Sequence, residues 1–350
     1  MRKSAWLPVL LTGLLTASVA WAGPAGPTVF FGYDLNGDTK ADLVTFNPAT
    51  STVRIQLMDG VTVLSTGFVG TGGNTLVGLG DVNNDGKDDL VFVGGSNVRI
   101  NLMNGVASTS QGFIGTGGNT FAGMADADGN GNADLVMNGA TSVRITLLSG
   151  VASAGQGFLS NGGGQYPAKV FGDFNGDGKI DMAGDGSGTL RVTLLNGFAS
   201  AGQGFLGTGG GTLLTQSGDA NGDLKDDLFF NNASNTRINL MNGVASASQG
   251  FLGNGGALVT LLGDFNNDGK SDLASNGANI RIQRLNGLAS LGTTFIGAGG
   301  NTLKYGGDLS GDGQTDIGLQ SGSNIRLNLI AAGLSTAQAF LGAGGGTLFP

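Results

Sequence analysis

The sequence contains no cysteine, no histidine and no glutamate. Without cysteine there is no disulfide and no thiolate nucleophile, and without histidine the Ser-His-Asp arrangement and the usual general base are missing. Zinc sites with nitrogen or sulfur ligands are excluded for the same reason. Because only three tyrosines remain as phenolic bases, we expect a protein without catalysis of its own.

Tryptophan and clustered positive charge are also scarce. Both tryptophans, Trp6 and Trp21, lie within the first 22 residues, so the rest of the chain has no indole face to stack on a sugar ring. Basic runs and basic residues interleaved with aromatic ones are absent. Nucleic acid is therefore not an expected partner.

The N-terminus has the pattern of a secretory signal peptide. Arg2 and Lys3 precede a short apolar run that ends in Ala20-Trp21-Ala22, the small-residue pattern of a cleavage site. The run is too short and too interrupted for a membrane span, and no cysteine follows it for lipid attachment. We predict a signal peptide at residues 1–22 and a domain at 23–350, secreted or at the cell surface, without membrane insertion.

All 25 acidic residues are aspartate, and most of them lie in one nine-residue loop that recurs seven times. The fullest copy, DFNGDGKID, spans residues 173–181. Oxygen-bearing side chains stand at positions 1, 3, 5 and 9, and the carbonyl at position 7 adds another oxygen, which suits the six to eight oxygen ligands of calcium. A single copy could be a solvated turn, but seven in register predict up to seven Ca²⁺ sites.

The candidate ligands occupy positions 1, 3, 5, 7 and 9 of each loop, with the backbone carbonyl acting at position 7. They are Asp34, Asn36, Asp38, Lys40, Asp42, Asp81, Asn83, Asp85, Lys87, Asp89, Asp126, Asp128, Asn130, Asn132, Asp134, Asp173, Asn175, Asp177, Lys179, Asp181, Asp219, Asn221, Asp223, Lys225, Asp227, Asp264, Asn266, Asp268, Lys270, Asp272, Asp308, Ser310, Asp312, Gln314 and Asp316. The shorter Ser310 predicts that the seventh site is the weakest. An EF-hand is rejected, because position 12 carries no acid and no helical pattern flanks the loops.

Each period of about 45 residues contains four short strand patterns, which predicts an all-β, seven-bladed β-propeller with one DxNxDxxxD calcium loop per blade. An Asn-Gly or Asp-Gly pair such as Asn104-Gly105 predicts a hairpin between strands three and four. A phenylalanine recurs in strand four and is expected in the core between blades. These residues are Phe68, Phe113, Phe158, Phe205, Phe251, Phe295 and Phe340.

An arginine recurs in strand three of every period, at Arg54, Arg99, Arg144, Arg191, Arg237, Arg281 and Arg326. These residues could form a cationic ring for acidic ligands, but a structural role satisfying carbonyls between blades is favoured. For ring closure, we expect Thr28 to Asp34 to supply the first strand of blade one. The tail Gly346 to Pro350 is expected to cover the seam near Val29 and Phe30.

The DxNxDGxxD loop and the Leu-Met-Asn-Gly turn, as at residues 102–105 and 240–243, resemble the FG-GAP/VCBS-type repeat. That family includes integrin α-subunit propellers, secreted bacterial proteins and seven-bladed calcium-dependent fungal lectins. The resemblance implies calcium on one rim and a partner, an extracellular protein or a glycan, on the opposite rim of a monomer. It favours a recognition or adhesion module, with a calcium-dependent lectin as the alternative and a polysaccharide lyase as a weaker one.

Overall fold

The structure is a computed structural model that describes residues 32–348. The predicted signal peptide, Val29, Phe30 and Pro350 lie outside the described residues. None of residues 32–348 belongs to a helix with the length and apolarity that a membrane crossing would need.

Seven four-stranded antiparallel sheets make up the described chain, which confirms the all-β, seven-bladed propeller. Blade one contains β1 (Leu43–Asn47), β2 (Thr52–Asp59), β3 (Thr62–Gly70) and β28 (Thr347–Leu348). Blades two and three contain β4 (Thr75–Gly80), β5 (Asp89–Gly94), β6 (Asn97–Asn104), β7 (Ala107–Gly115), β8 (Thr120–Ala125), β9 (Asp134–Asn138), β10 (Ser142–Ser149) and β11 (Ala152–Ser160).

The remaining four blades repeat the same order. Blades four and five contain β12 (Ala168–Gly172), β13 (Asp181–Asp185), β14 (Thr189–Asn196), β15 (Ala199–Gly207), β16 (Thr212–Gly218), β17 (Asp227–Asn231), β18 (Asn235–Asn242) and β19 (Ala245–Gly253). Blades six and seven contain β20 (Val259–Gly263), β21 (Asp272–Ser275), β22 (Asn279–Asn286), β23 (Ala289–Gly297), β24 (Thr302–Gly307), β25 (Asp316–Ser321), β26 (Asn324–Ala331) and β27 (Leu334–Gly342).

The strands form because apolar residues alternate along them, and the blades stack because both faces of the inner strands are apolar. In β6, Val98 and Ile100 lie on one face and Met103 on the other, and all three are buried. Neighbouring blades cover both faces of each sheet, as propeller architecture requires. The core therefore lies between blades, around the first three strands of each sheet.

Six of the seven hairpins between strands three and four differ from the prediction by one residue, and the seventh has the predicted Ala332-Gly333 turn, since Ala331 pairs with Leu334. Asn104 pairs with Ala107, so the two turn residues are Gly105 and Val106, and Gly105 has a φ of 63°. A glycine at the first turn position with positive φ is the arrangement of a type II′ turn. An Asn-Gly pair is typical of both positions of a type I′ turn, but here Asn104 remains in the third strand; a β-bulge lies between Leu102 and Met103.

The recurring phenylalanines are exposed, so the expectation that they form the core between blades is wrong. The exposed fraction of these residues ranges from 59% for Phe113 to 71% for Phe340. Each lies on the outermost strand directly opposite the recurring arginine, as Phe113 lies opposite Arg99. Blades diverge with distance from the axis, and the adjacent blade leaves this position of the fourth strand open to solvent.

Blade one receives strand pairing from both ends of the described chain. Thr347 and Leu348 pair with β1, opposite Phe46 and Thr45, while Tyr33 forms an antiparallel bridge near the first loop. The expectation that the tail only covers the seam is corrected, since the tail is itself a strand of blade one. The last residues thereby connect blade seven to blade one and close the ring.

Candidate metal loops and the opposite rim

The seven acidic loops lie on one rim, because each directly precedes the second strand of its blade and, in blades two to seven, joins it to the first strand. The carbonyl at position 1 accepts a hydrogen bond from the amide at position 8 of the next loop, as Asp34 accepts from Asp88 at 2.7 Å. The carbonyl at position 2 accepts from the hairpin of the next blade, as Leu35 accepts from Gly105. Both bonds recur at all seven blade interfaces, so the loops form a continuous belt.

The aspartate at position 1 organises each loop from within. In the fourth loop, Asp173 Oδ1 accepts the amides of Asn175, Gly176 and Asp177, and its Oδ2 accepts the amide of Gly178 at 2.8 Å. A carboxylate surrounded by backbone amides fixes the curl of the loop before any ion arrives. The other six loops have the same central carboxylate, with three or four such bonds each.

The aspartate at position 9 is fully buried in all seven loops. Asp89 accepts the amide of Val82 on Oδ2 at 3.1 Å and the amide of Met103 on Oδ1 at 2.8 Å, so it ties its loop to the third strand. Burial raises the pKa of the seven carboxyls from 3.8 to about 7, although the two amide bonds oppose the shift. A cation would favour the ionised form and reverse the effect of burial.

Loops two and six contain a buried oxygen without a hydrogen-bond donor. Asn83 Oδ1 and Asn266 Oδ1 at position 3 have no partner within residues 32–348. In loops one, four and five, the equivalent oxygen accepts the amide at position 5, as Asn36 does. An unsatisfied buried acceptor beside carboxylates is the environment that a hard cation completes.

The third loop brings three carboxylates together. Oxygens of Asp126, Asp128 and Asp134 lie within 4.8 Å of one another, so the exchange of aspartate and asparagine between positions 3 and 5 keeps a convergent acidic set. In the seventh loop, the Ser310 hydroxyl lies 3.4 Å from Asp308 Oδ1. Its lower affinity for calcium stays a prediction.

Two aspartates that the sequence placed outside the ligand set belong to the belt. Asp88 and Asp226 occupy position 8, and each accepts the position 1 amide of the preceding loop, from Asp34 at 3.0 Å and Asp173 at 2.9 Å. Burial raises their pKa to about 8 and about 7 respectively. In the sequence, the signal for this role was that each directly precedes the position 9 aspartate of its loop.

The lysine side chains at position 7 lie over neighbouring acidic groups. Lys40 Nζ is 2.5 Å from Asp59, and Lys87 Nζ is 3.6 Å from the position 5 carboxylate Asp85. Both pairs are partly exposed, so their contribution to stability is small. These side chains reduce the negative charge of the rim and leave the position 7 carbonyl as the candidate ligand.

The arginines connect neighbouring blades toward the opposite rim, which confirms their structural interpretation. Arg99 donates to the carbonyl of Gly70 at 3.0 Å, and the same bond to the preceding blade recurs for all seven arginines. Arg99 also lies 4.2 Å over the Phe92 ring. Burial lowers the pKa of the Arg99 guanidinium, but it stays charged.

Near the axis of the opposite rim, side-chain amides join some blades but not others. Asn276 Oδ1 accepts the amide of Leu303 at 2.7 Å, connecting blades six and seven. Equivalent amide contacts join blades three and four, five and six, and seven and one. The exposed connectors use asparagine differently, since Asn74 donates within its own turn to Thr71. This rim therefore varies from blade to blade.

A family model of the FG-GAP-like repeat matches residues 34–92 and 81–137. These segments contain the first three loops, so the match confirms the resemblance on the motifs that carried it. No curated protein matches the sequence.

Among solved structures, an Agrocybe aegerita lectin that recognises non-reducing terminal N-acetylglucosamine is similar, with a TM-score of 0.70, 16% identity and coverage of 88% of this chain and 92% of the lectin. Kluyveromyces lactis Hsv2 has a TM-score of 0.50, 12% identity and coverage of 84% and 91%. A dihydro-haem d1 dehydrogenase has a TM-score of 0.54, 10% identity and coverage of 90% and 68%. At these identities the similarity concerns the fold alone.

Proposed function

We propose that the chain is an FG-GAP repeat propeller that acts as a secreted recognition or adhesion module, binds calcium in its seven loops and has no catalysis of its own. The calcium part is carried by the unsatisfied oxygens Asn83 Oδ1 and Asn266 Oδ1, which lie buried in loops already folded around carboxylates. The all-oxygen donor set fits a hard cation such as calcium.

Calcium would act on stability rather than on chemistry. The belt joins every loop to the next blade by backbone hydrogen bonds, and the buried carboxyls at position 9 repel their neighbours in the same loop when ionised. A bound divalent ion removes this repulsion, and ligand bound only to the folded state stabilises it by mass action. Because the chain has no disulfide, the ions would be its main cross-links.

A calcium-dependent lectin is the second candidate, and the exposed phenylalanines favour it. Seven aromatic rings that are more than half exposed offer faces on which sugars can stack. The Agrocybe aegerita lectin, whose propeller is similar, recognises a terminal N-acetylglucosamine, which supports testing glycans alongside extracellular proteins.

Metal content and binding test the proposal. Protein dialysed against calcium should contain close to seven ions by mass spectrometry, and chelation should lower the melting temperature, because each site at about 100 times its Kd contributes roughly 2.7 kcal/mol. Glycan-array signals lost with EDTA would favour the lectin. An unchanged melting temperature after EDTA, with no metal in calcium-equilibrated protein, would contradict calcium binding, and an unsaturated product from a uronic-acid polymer would identify a lyase.

A further inference from the structure

A groove of about 370 Å³ lies at the rim opposite the acidic loops, where the first strands of blades five, six and seven approach one another. Its lining includes Thr215, Gln216, Thr260, Asn276 and Lys304. The volume is within the range of small-ligand pockets. Leu303 and the other leucines at the groove are largely buried between blades, and the accessible lining combines apolar surface with hydroxyl, amide and ammonium groups.

Lys304 is the one charged residue of the groove lining, and the described chain places no acid against it. Burial lowers the pKa of its ammonium, and no charged group opposes that shift. Lys169 holds the same strand position in blade four, where its Nζ lies 3.0 Å from Asp185. Blade seven has Gln320 at the position of Asp185, and its amide oxygen accepts the Leu348 amide instead.

Neutral polar groups surround this cation. Gln216 Oε1 accepts the amide of Leu262 at 3.0 Å, which leaves the Gln216 side-chain NH₂ without an acceptor within residues 32–348. The hydroxyls of Thr215 and Thr302 lie at the same groove. An ammonium beside amide and hydroxyl groups is suited to a carboxylate carried by a polyhydroxylated ring.

We infer that this groove binds a carboxylate-bearing sugar, with Lys304 as the charge partner of the carboxylate and Gln216, Thr215 and Thr302 as hydrogen-bonding groups for the ring. This inference rests on the proposed recognition function and specifies its ligand class and its place on the propeller. A sugar ring is favoured over a peptide, because its several hydroxyls can exchange hydrogen bonds with Gln216, Thr215 and Thr302.

The test measures binding of tri-galacturonic acid to the calcium-loaded full-length protein by calorimetry, with the fully methyl-esterified trimer as the neutral probe. The acid should bind and the ester should bind more weakly. Lys304→Met should weaken binding of the acid roughly tenfold, as expected for loss of a charge-assisted hydrogen bond. Added salt should weaken binding to the unsubstituted protein and have less effect on the variant.

Two variants remove a positive charge elsewhere. Lys169→Met removes the paired lysine at the same strand position, and Arg284→Leu removes a partly buried cation outside the groove, where the other six blades have leucine. Both should keep the affinity of the unsubstituted protein. Equal melting temperatures in calcium would show that Lys304→Met folds normally.

Three results would overturn the inference: no binding of the acidic trimer, equal affinity for the esterified trimer, or undiminished binding by Lys304→Met. Stronger binding of a short aspartate-rich peptide at the same groove would assign the site to peptides and overturn the sugar. Metal content and neutral-glycan signals are measured separately, so failure here is distinguishable from failure of the proposed function.

Discussion

The loop rim and the opposite rim join neighbouring blades by different means. On the loop rim, backbone amides donate to the carbonyls of positions 1 and 2 at all seven interfaces. Near the axis of the opposite rim, side-chain amides such as Asn276 and Gln320 make the contacts, and among residues 32–348 four interfaces have them. Backbone bonds tolerate changes of side chain, whereas side-chain contacts depend on the residue at one position.

This difference indicates where each rim can specialise. A contact that recurs in every blade meets a need that every blade shares, which for the loops is curvature and charge neutralisation. Differences between blades can distinguish one ligand from another, and Lys304 with its neutral neighbours occurs only in the sector of blades five to seven. We therefore propose that the loop rim stabilises the ring and that the opposite rim carries recognition.

The largest expected effect concerns the pH dependence of the metal-free loop rim. The position 9 carboxyls have a pKa of about 7 in the folded protein, as for Asp89, against about 3.9 when unfolded. Between these values the folded state binds more protons, so its stability decreases as the pH rises toward 7. Metal-free protein should lose about 10 °C or more in melting temperature between pH 5 and pH 8, since each such carboxyl contributes up to about 1.4 kcal/mol per pH unit.

Calcium-loaded protein is the control for this experiment. Calcium competes with protons for the same carboxylates, so the melting temperature of the loaded protein should stay level or rise over the same pH interval. Scanning fluorimetry of both forms at four pH values gives the comparison. A flat or rising profile for metal-free protein would show that the buried carboxyls do not govern its stability.

A smaller effect is expected at the opposite rim. Asn276→Ala removes the acceptor of the Leu303 amide, a 2.7 Å bond between blades six and seven, and the weaker donation back to the Leu303 carbonyl. Unfolding of calcium-loaded protein in urea should show a loss of about 1–3 kcal/mol, because a backbone amide is left unsatisfied, while the calcium content stays unchanged.

Asn74→Ala is the matched control, since Asn74 donates within its own turn to Thr71 and connects no blades. Its loss should be at most about 1 kcal/mol. Loss of bound calcium in the Asn276→Ala variant would contradict the independence of the two rims. So would equal destabilisation by the two variants.

The fold was predictable because its signals repeat. The loop, the hairpin glycine and the strand alternation occur seven times, so they can be distinguished from features that occur by chance in a single copy. The repeat period does not, however, indicate how far a residue lies from the propeller axis. Phe113 was therefore expected in the core although it lies on the outermost strand. The hairpin at Gly105 was misplaced because Asn-Gly pairs typically fill both turn positions, whereas here Asn104 ends the third strand.

The candidate sites were predictable to different extents. The loop positions of the metal candidates follow from spacing within nine residues, a local property. The environment of Lys304 does not follow from spacing, because it depends on one position of the adjacent strand. That position is Asp185 in blade four, beside Lys169, and Gln320 in blade seven. The two-residue strand at Thr347–Leu348 was too short for any pattern to predict its pairing with β1.

The smallest expected effect lies within a single loop and tests how far the loop rim depends on glycine. Position 6 has positive φ in all seven loops, and five of them have glycine there. Leu224 adopts 65° at this position while 82% of the residue is exposed. An exposed leucine gains little from packing and bears the strain of left-handed backbone, about 1–2 kcal/mol. Leu224→Gly should raise the free energy of unfolding by up to about 1 kcal/mol, after the entropic cost of glycine is subtracted, and the amide bond to Asp219 should remain.

The reverse substitution, Gly178→Leu, changes the same position in the fourth loop, where φ is 81°. It should lower stability by a similar amount, because leucine there gains strain without burial. Urea midpoints of both variants in calcium measure the pair. Destabilisation by Leu224→Gly would mean that the Leu224 side chain makes contacts worth more than its strain. The loop rim would then depend on side chains as the opposite rim does.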